Sequence, residues 1–205
     1  MTNTAAATTR PVLADRFVSR SLATDAALVL GGVAFTGLLA QIEIPLWPVP
    51  ITGQTLAVML VGATLGLRRG ALSLALYALI GLIGAPIFAG HAGGVSSLQL
   101  PSFGFIIGFI PAAALVGWLS ERNWDRHVVR SLAAFLGASL IPFAFGLPYL
   151  GFALANLGYP HSVADVLAAG FTPFIVGGLV KWVIAAGSLP LLWRAVRAID
   201  QRRSN

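Results

Sequence analysis

Long apolar runs, separated by short polar segments, make up most of the chain. The runs cover residues 26–44, 51–67, 70–120, 131–151 and 168–192. The third run holds 51 residues without Asp, Glu, Lys or Arg, and its Gly- and Ser-rich segment 89–102 divides it in two. Because a helix needs ~20 apolar residues to cross roughly 30 Å of hydrocarbon, the pattern predicts an all-α integral membrane protein with six transmembrane helices.

The positions of the arginines test this count. The twelve arginines fall in four groups, which are Arg10, Arg16 and Arg20; Arg68 and Arg69; Arg122, Arg126 and Arg130; and Arg194, Arg197, Arg202 and Arg203. With six helices all four groups lie on one side of the membrane, whereas five or seven helices would scatter them across both sides. Since basic residues concentrate on the cytoplasmic side, both termini are predicted to be cytoplasmic.

The helix boundaries divide the chain into three predicted parts. Residues 1–24 form a polar cytoplasmic tail, which lacks the apolar region of a signal peptide. Residues 25–197 form the six-helix transmembrane domain, and residues 198–205 form a basic cytoplasmic tail. The first tail ends either in a short interfacial helix or in a disordered segment that continues up to Leu22.

The composition agrees with a bilayer as the surrounding medium. Hydrophobic residues make up 57% and charged residues 10% of the chain, against about 25% charged residues in ordinary soluble domains. The net charge of +6 is compatible with nucleic-acid binding. The placement of the arginines on one side of the membrane accounts for this charge, so no nucleic-acid partner is expected. The chain has no cysteine, which excludes disulfides and thiolate metal sites. We expect a multi-pass protein of the plasma membrane.

A single lysine, Lys181, lies inside the last apolar run and is the only lysine of the chain. It precedes Arg194 by 13 residues, which places it roughly 20 Å from the cytoplasmic boundary, where an ammonium group is costly. Three interpretations remain open: the side chain extends to the outer interface, it pairs with Glu43, or a ligand satisfies its charge. The last is favoured, and it requires a small, partly apolar ligand with a carboxylate or a strong carbonyl acceptor.

The outward-facing loops are the second unusual feature. Segment 43–55 contains three prolines, which stiffen it, and it places Thr52 and Gln54 where they would border the mouth of a pocket. Segment 89–102 is rich in glycine and is interpreted either as a lid or as a flexible connector. The third loop, 156–170, has an ordinary polar composition.

Other chemistry finds little support in the sequence. His91, His127 and His161 are not at metal-ligand spacing, so no metal site is predicted. The chain lacks Gly-x-Ser-x-Gly and Gly-Lys-Ser/Thr, so it is neither a serine hydrolase of that type nor a P-loop ATPase. An intramembrane enzyme that uses Lys181 as a base or Schiff-base nucleophile is disfavoured, because no partner residue is arranged around it. The chain is therefore predicted to be neither an enzyme nor a cofactor carrier.

Segment 49–90 resembles a known family. It reads VPITGQTLAVMLVGATLGLRRGALSLALYALIGLIGAPIFAG and is similar to the BioY family, the biotin-binding S components of energy-coupling-factor (ECF) vitamin transporters. The matching positions are Val49, Pro50, Ile51, Thr52, Gln54, Thr55, Gly66, Arg68, Gly70, Tyr77, Gly81, Gly84, Pro86, Phe88 and Ala89. The likeness continues through residues 100–109 to Lys181. The fold that it implies has six helices and a substrate pocket at the extracellular side.

Three positions depart from the family's pattern. Ser102 stands where the family usually has threonine, Phe105 where it has tyrosine, and Gly178 where it has an aspartate one turn before the lysine. In such members the aspartate and the lysine are taken to hold the polar head of the ligand, and an acid suits the two ureido N–H groups of biotin. Without it, either Gln54, Ser102 or a backbone carbonyl replaces the acceptor, or affinity and specificity differ.

The resemblance also implies a function and its partners. An S component binds biotin at the outer face and delivers it inward with an ECF transmembrane coupling subunit and two cytosolic ATPases, which use the ATP. Coupling implies a small-residue face on the first helix, for which Ala23, Ala27 and Gly31 are the candidates, although ordinary helix packing explains them equally well. The implied substrate-binding residues are Thr52, Gln54, Tyr77, Phe88, Ser102, Phe105, Gly178 and Lys181.

Two alternatives to biotin uptake follow from the same residues. The departure at Gly178 leaves open a transporter for another small carboxylate or for a cyclic-urea-like vitamin or precursor. A purely structural membrane subunit is the second alternative, and tight ligand binding by the isolated chain would exclude it.

Overall fold

The computed structural model describes residues 12–19 and 21–204, except for the side chains at 186, 196, 197 and 199–204. Arg10 and Arg20 lie outside the described residues, so the predicted N-terminal tail is seen only in part. The same holds for the side chains of Arg197, Arg202 and Arg203 in the last helix.

Helices make up most of the described chain. Their bounds are α1 Leu22–Ala40, α2 Gln54–Leu82, α3 Phe103–Ser120, α4 Val128–Asn156, α5 Val163–Gly170 and α6 Phe174–Ser204. An antiparallel ribbon of β1 Glu43–Ile44 and β2 Ile51–Thr52 joins α1 to α2. Short 3₁₀ turns cover Ala14–Arg16, Ala89–His91, Val95–Gln99 and Trp124–Arg126. Among the described residues, five helices are long and apolar enough to cross a membrane, and α5 is not one of them.

Helix α2 consists of two helices that meet at Gly66. This residue has φ 85° and ψ −178°, a conformation that is open almost only to glycine. The chain reverses there, since the side chains of Gln54 and Tyr77 are hydrogen-bonded at 2.7 Å, whereas a straight helix would separate the two residues by roughly 35 Å. Each half of α2 therefore crosses the bilayer. Together with α1, α3, α4 and α6, this confirms the prediction of six transmembrane helices.

The transmembrane helices pack closely against one another at small residues. A Cβ atom at Gly62 would lie 2.6 Å from the carbonyl oxygen of Ala113 on α3. A Cβ atom at Gly108 would lie 2.6 Å from the Cα atom of Pro142 on α4. Neither position has room for a side chain, so α2, α3 and α4 form one tightly packed block.

One end of this block gathers acidic and basic side chains. Arg69, in the second half of α2, makes ion pairs of 2.8 Å with Asp15 in the N-terminal segment and with Asp25 in α1. Glu121, just after α3, accepts a hydrogen bond of 2.9 Å from the backbone N–H of Leu67. The segments that carry the arginines thus meet at one end, and by the positive-inside rule this end faces the cytoplasm.

The same end also holds a buried contact between the α3–α4 connection and α6. The indole N–H of Trp193 donates to the carboxylate of Asp125, and both side chains are almost fully buried. The guanidinium of Arg126 lies 4.1 Å from the centre of the Trp193 ring. Burial raises the pKa of Asp125, although the hydrogen bond from Trp193 opposes this.

Two regions differ from the expectation of plain polar connections. The third outer loop contains helix α5, which begins with a reciprocal capping pair between Ser162 and Asp165. At the N-terminus, Val12 and Leu13 are buried against the helices, and α1 begins at Leu22 with Ser21 as its N-cap. The helix therefore begins before the predicted end of the tail at residue 24.

Candidate functional site

A cavity of about 360 Å³ opens at the end opposite the arginines. Three parts of the chain enclose it: the ribbon segment between α1 and α2 with the start of α2, the segment before α3, and the outer ends of α3 and α6 together with the middle of α4. Ligand pockets for small molecules have volumes of roughly 300–1,000 Å³, so the cavity has the size of a small-molecule site.

Lys181 enters this cavity from α6. Its ammonium donates to the backbone carbonyl of Thr52 at 2.5 Å and to the hydroxyl of Thr55 at 2.9 Å. Both acceptors are neutral, and no ion pair joins Lys181 to Glu43 within the described residues, so that interpretation is wrong for this structure. An ammonium has three protons, and two are engaged here. The third has no acceptor among the described residues.

A chain of hydrogen bonds fixes the polar wall beside the lysine. The Thr52 hydroxyl donates to Oε1 of Gln54 at 2.8 Å, and Nε2 of Gln54 donates to the Tyr77 hydroxyl at 2.7 Å. The Tyr77 hydroxyl in turn donates to the carbonyl of Ile87 at 3.0 Å. Thr52 and Gln54 line the cavity. Tyr77 is completely buried behind them and orients the Gln54 amide.

Aromatic rings form the apolar wall of the cavity. Phe105 on α3 makes an edge contact with Phe143 on α4 at 5.6 Å between ring centres, and it stacks on Phe174 of α6 at 6.3 Å. Phe88, buried at the other side, contacts Tyr77 at 5.3 Å. Such rings offer apolar surface to a ligand, and their packing against one another fixes the shape of the wall.

The segment before α3 is anchored at both ends above the cavity. Nε2 of Gln41 donates to the carbonyl of Phe88 at 3.0 Å, and Oε1 of Gln41 accepts from the backbone N–H of His91 at 3.1 Å. At the other end the Tyr149 hydroxyl donates to the carbonyl of Leu98. Ser102 then lines the cavity, and its hydroxyl has no hydrogen-bond partner among the described residues. The arrangement agrees with the lid interpretation of segment 89–102.

Gly178 borders a second, smaller cavity of about 210 Å³. Lys181 and Thr55 line both cavities and so lie where the two adjoin. The nearest atoms to a Cβ at Gly178 are those of the Trp182 ring, at 3.8 Å. The structure thus places Gly178 beside the lysine but not in the outer cavity, and it leaves room there for a side chain.

Six of the eight predicted substrate-binding residues line the outer cavity, while Tyr77 supports them from behind and Gly178 lies in the neighbouring cavity. The six are Thr52, Gln54, Phe88, Ser102, Phe105 and Lys181.

Sequence reasoning missed several lining residues, above all Glu43, Thr55, Phe143 and Phe174. Thr55 directly follows Gln54 in the segment that resembles the family, so its position in the sequence could have identified it as a lining residue. Glu43 pairs with Thr52 across the ribbon and is the only acidic residue among the described residues that line the cavity.

Two further predictions concern the surroundings of the site. Ala23, Ala27 and Gly31 lie on an exposed face of α1, where a Cβ at Gly31 would meet no atom within 4 Å. Among the described residues, no group of three or more His, Asp or Glu side chains is arranged to hold a metal ion.

The fold and the site define a multi-pass membrane protein with a solute-sized cavity, which opens at the outer end and is lined by the partly buried ammonium group of Lys181. The chain belongs to the BioY family, whose sequence model matches residues 7–198. This confirms the resemblance seen in segment 49–90.

Relatives and a solved structure support the membership. The chain is 37% identical over 177 residues to a biotin transporter BioY from Rhizobium etli, which covers 83% of this chain and 89% of the relative. It is 36% identical over 162 residues to one from Thermotoga maritima, covering 78% and 90%. The crystal structure of the S-component for biotin from an ECF-type ABC transporter shares the fold, with a TM-score of 0.69, 23% identity, and coverage of 84% of this chain and 92% of the other.

Proposed function

We propose that this protein is the substrate-binding subunit of a biotin uptake system in the cell membrane. It binds biotin in the outer cavity and delivers it inward unchanged, as a transport subunit and not as an enzyme. Its relatives from Rhizobium etli and Thermotoga maritima are biotin transporters. The observation that carries the proposal is Lys181, which lines the cavity and has only two acceptors, both neutral, among the described residues.

The cavity offers groups that complement each part of biotin. Biotin combines a carboxylate, an apolar chain and a cyclic urea with one carbonyl acceptor and two N–H donors. Lys181 donates to an acceptor oxygen of the ligand, and the aromatic wall covers the apolar parts. Gln54 is held in one orientation by Thr52 and Tyr77, so its binding geometry is set before the ligand arrives.

Glu43 supplies the carboxylate that position 178 lacks. It lines the cavity and has no hydrogen-bond or ion-pair partner among the described residues. Its Oε1 lies 3.4 Å from the place of a Cβ at Gly90 in the segment above the cavity. A carboxylate accepts N–H donors well, so Glu43 is the acceptor for the ureido N–H groups. The sequence comparison had pointed to Gln54, Ser102 or a backbone carbonyl for this role.

Delivery of biotin involves partner subunits. The solved structure that shares this fold is an S-component from an ECF-type ABC transporter, and this chain has no P-loop of its own. We infer that a transmembrane coupling subunit and two ATPases provide the energy, with the ATP bound by those ATPases. The exposed small-residue face of Ala23, Ala27 and Gly31 on α1 is the proposed contact with the coupling subunit.

A second candidate is the uptake of another small carboxylate or cyclic-urea-like compound. The observation that favours it is Gly178, which leaves the smaller cavity beside Lys181 without an acidic side chain. A ligand with its own carboxylate near Lys181 would be suited to this arrangement.

Calorimetric titration of the detergent-purified full chain separates the two candidates. Biotin is expected to bind with a dissociation constant of about 1 μM or below, which corresponds to about 8 kcal/mol. Lipoate, which has a similar carboxylate chain but no cyclic urea, is the matched control and should bind at least about tenfold more weakly, by roughly the worth of one charged hydrogen bond. Equal binding of both would favour the second candidate, and the absence of heat with biotin would refute the proposal.

A further inference from the structure

The smaller cavity beside Lys181 has walls of a different character from those of the outer cavity. Its volume is about 210 Å³, and residues of α2, α4 and α6 line it. Most of these residues are apolar, with aromatic rings at Phe143, Phe171, Phe174 and Trp182. The walls are therefore suited to an apolar chain.

This cavity also reaches the surface that the bilayer covers. Leu140 on α4 is 50% exposed and Ile175 on α6 is 53% exposed, and both line the cavity. The two residues belong to helices that cross the membrane, so their exposed sides face lipid. A molecule dissolved in the bilayer therefore meets the smaller cavity from the side, away from the ribbon segment at the outer end.

Lys181 gives the apolar cavity a charged end. It lines both cavities, as does Thr55, whose hydroxyl accepts a hydrogen bond of 2.9 Å from the ammonium. The other acceptor, the carbonyl of Thr52, is also neutral, and the third proton has no acceptor among the described residues. None of the described residues that line the smaller cavity is acidic. A matching ligand joins one anionic acceptor to an apolar chain.

We propose that the smaller cavity binds a straight-chain carboxylate of medium length, a fatty acid from the bilayer, with its carboxylate at Lys181 and its chain directed toward Leu140 and Ile175. The carboxylate and the ammonium compensate each other inside the membrane, whereas an uncharged chain would leave the ammonium with neutral partners only. Gly178 leaves room for the chain, because a Cβ there would have no atom nearer than 3.8 Å.

The fatty acid would compete with biotin, since both ligands use the ammonium of Lys181. Only this competition rests on the proposed function. The site itself depends on the apolar walls, the opening to lipid and the charge, so it can be tested without biotin.

The test measures thermal melting of the full chain in phosphatidylcholine nanodiscs, with decanoate as the probe and decanol as its uncharged counterpart. Ser139→Phe fills the smaller cavity from α4, at a position that does not line the outer cavity. The Ser139 hydroxyl bonds only within its own helix, to the carbonyl of Leu136 at 3.0 Å. Ala144→Phe is the matched control, because it adds the same ring at an exposed position of α4 that lines neither cavity.

A second pair of variants covers the case that Ser139→Phe does not fold. Gly178→Leu fills the smaller cavity from α6. Its matched control is Gly187→Leu on the same helix, which lines neither cavity and where a Cβ would meet no atom within 4 Å.

We expect decanoate to raise the melting temperature of the wild type, and decanol to bind at least about tenfold more weakly because the charged hydrogen bond is missing. Ser139→Phe and Gly178→Leu should lose the shift, and their two controls should keep it. Lys181→Met, which keeps an apolar side chain without the charge, should no longer distinguish the acid from the alcohol. In calorimetric titration decanoate should raise the apparent dissociation constant of biotin for the wild type but not for Ser139→Phe.

Three results would overturn the proposal. Equal stabilisation by decanol would mean that the cavity takes any apolar chain. A shift that survives in Ser139→Phe and Gly178→Leu, or that their controls also lose, would mean that the fatty acid acts elsewhere. Competition with biotin that persists in Ser139→Phe would locate decanoate in the outer cavity. The proposed function fails separately, since a wild type that does not bind biotin would refute it without changing the decanoate shift.

Discussion

The two ends of the molecule differ in how their partly buried charges are compensated. At the cytoplasmic end Arg69 is paired with Asp15 and Asp25, so opposite charges compensate each other within the chain. At the outer end Lys181 and Glu43 line the same cavity but form no ion pair among the described residues. The first arrangement holds segments of the chain together, and the second leaves two opposite charges at the wall of the cavity that is proposed to bind the ligand.

The outer arrangement is costly for the empty protein. An ammonium inside a membrane protein loses hydration that two neutral oxygens replace only in part. In this protein the cost falls on Lys181, which donates hydrogen bonds to the carbonyl of Thr52 and to the hydroxyl of Thr55. The first bond ties α6 to the ribbon, and the second ties it to the first turn of α2. A ligand that competes for the Lys181 ammonium would therefore weaken these contacts when it binds.

The largest effect is expected when the lysine charge at the outer end is removed. In Lys181→Ala the ligand's acceptor oxygen loses its charged partner, and truncation of one member of such a buried pair costs about 2–5 kcal/mol. We expect biotin binding to weaken by about a hundredfold or more in calorimetric titration. Arg194→Gln, which removes a positive charge from the cytoplasmic part of the same helix, is the matched control and should leave biotin affinity unchanged. An affinity of Lys181→Ala within threefold of the wild type would contradict the assigned role.

The next largest effect is expected at the cytoplasmic end and on stability only. Arg69→Gln leaves Asp15 and Asp25 without their shared partner, and the side chain of Asp15 is only 5% exposed. The pairs are intermediate between surface and buried ones, so we expect a loss of about 2 kcal/mol in the free energy of unfolding. The melting temperature in detergent should fall by several degrees while biotin affinity stays constant. A change in affinity that matches the loss of stability would show that the two ends are coupled.

A smaller effect on binding tests the acidic member of the outer pair. Glu43→Gln keeps the shape and one acceptor oxygen but loses the charge, so we expect biotin binding to weaken by about tenfold. Lipoate has no ureido N–H groups, and its weaker binding should not change in this variant. Equal effects on both ligands would mean that Glu43 acts on the cavity as a whole and not on the ureido group.

The number of crossings could be read from the sequence because it depends on local properties. Apolar run length and arginine placement reflect the free energy of each segment in the bilayer, whatever its neighbours are. The position of the chain reversal at Gly66 could be predicted for the same reason, because Gly66 lies close to Arg68 and Arg69 in the sequence. Helix α5 was missed because it is short and its start depends on the capping pair of Ser162 and Asp165.

The site could be predicted only as a set of residues and not as an arrangement. Thr52, Gln54 and Lys181 were identified from the family pattern and from intramembrane charge. One of the two partners of Lys181 is a backbone carbonyl of β2, which every residue type offers and no pattern reveals. The roles of Tyr77, behind Gln54, and of Glu43, across the ribbon from Thr52, likewise depend on which segments pack together.

The smallest predicted effects concern Gly178, where the two candidate functions diverge. Gly178→Ala adds a methyl group in a place whose nearest neighbours are ring atoms of Trp182 at 3.8 Å, so nothing opposes it sterically. Alanine is also the better helix former by about 0.5–1 kcal/mol. We expect a slightly higher melting temperature and biotin affinity within threefold of the wild type.

Gly178→Asp adds the charge that the alanine variant lacks and is compared with it. Residues three apart on a helix are neighbours, so the new carboxylate lies within reach of Lys181. If Glu43 already accepts the ureido N–H groups, a second acid competes for the ammonium, and biotin affinity falls or stays level. If titration shows instead that Gly178→Asp binds biotin at least tenfold more tightly than Gly178→Ala, the cavity of the wild type lacks an essential acceptor. Glu43 would then not replace it, and another small carboxylate would become the better candidate for the natural ligand.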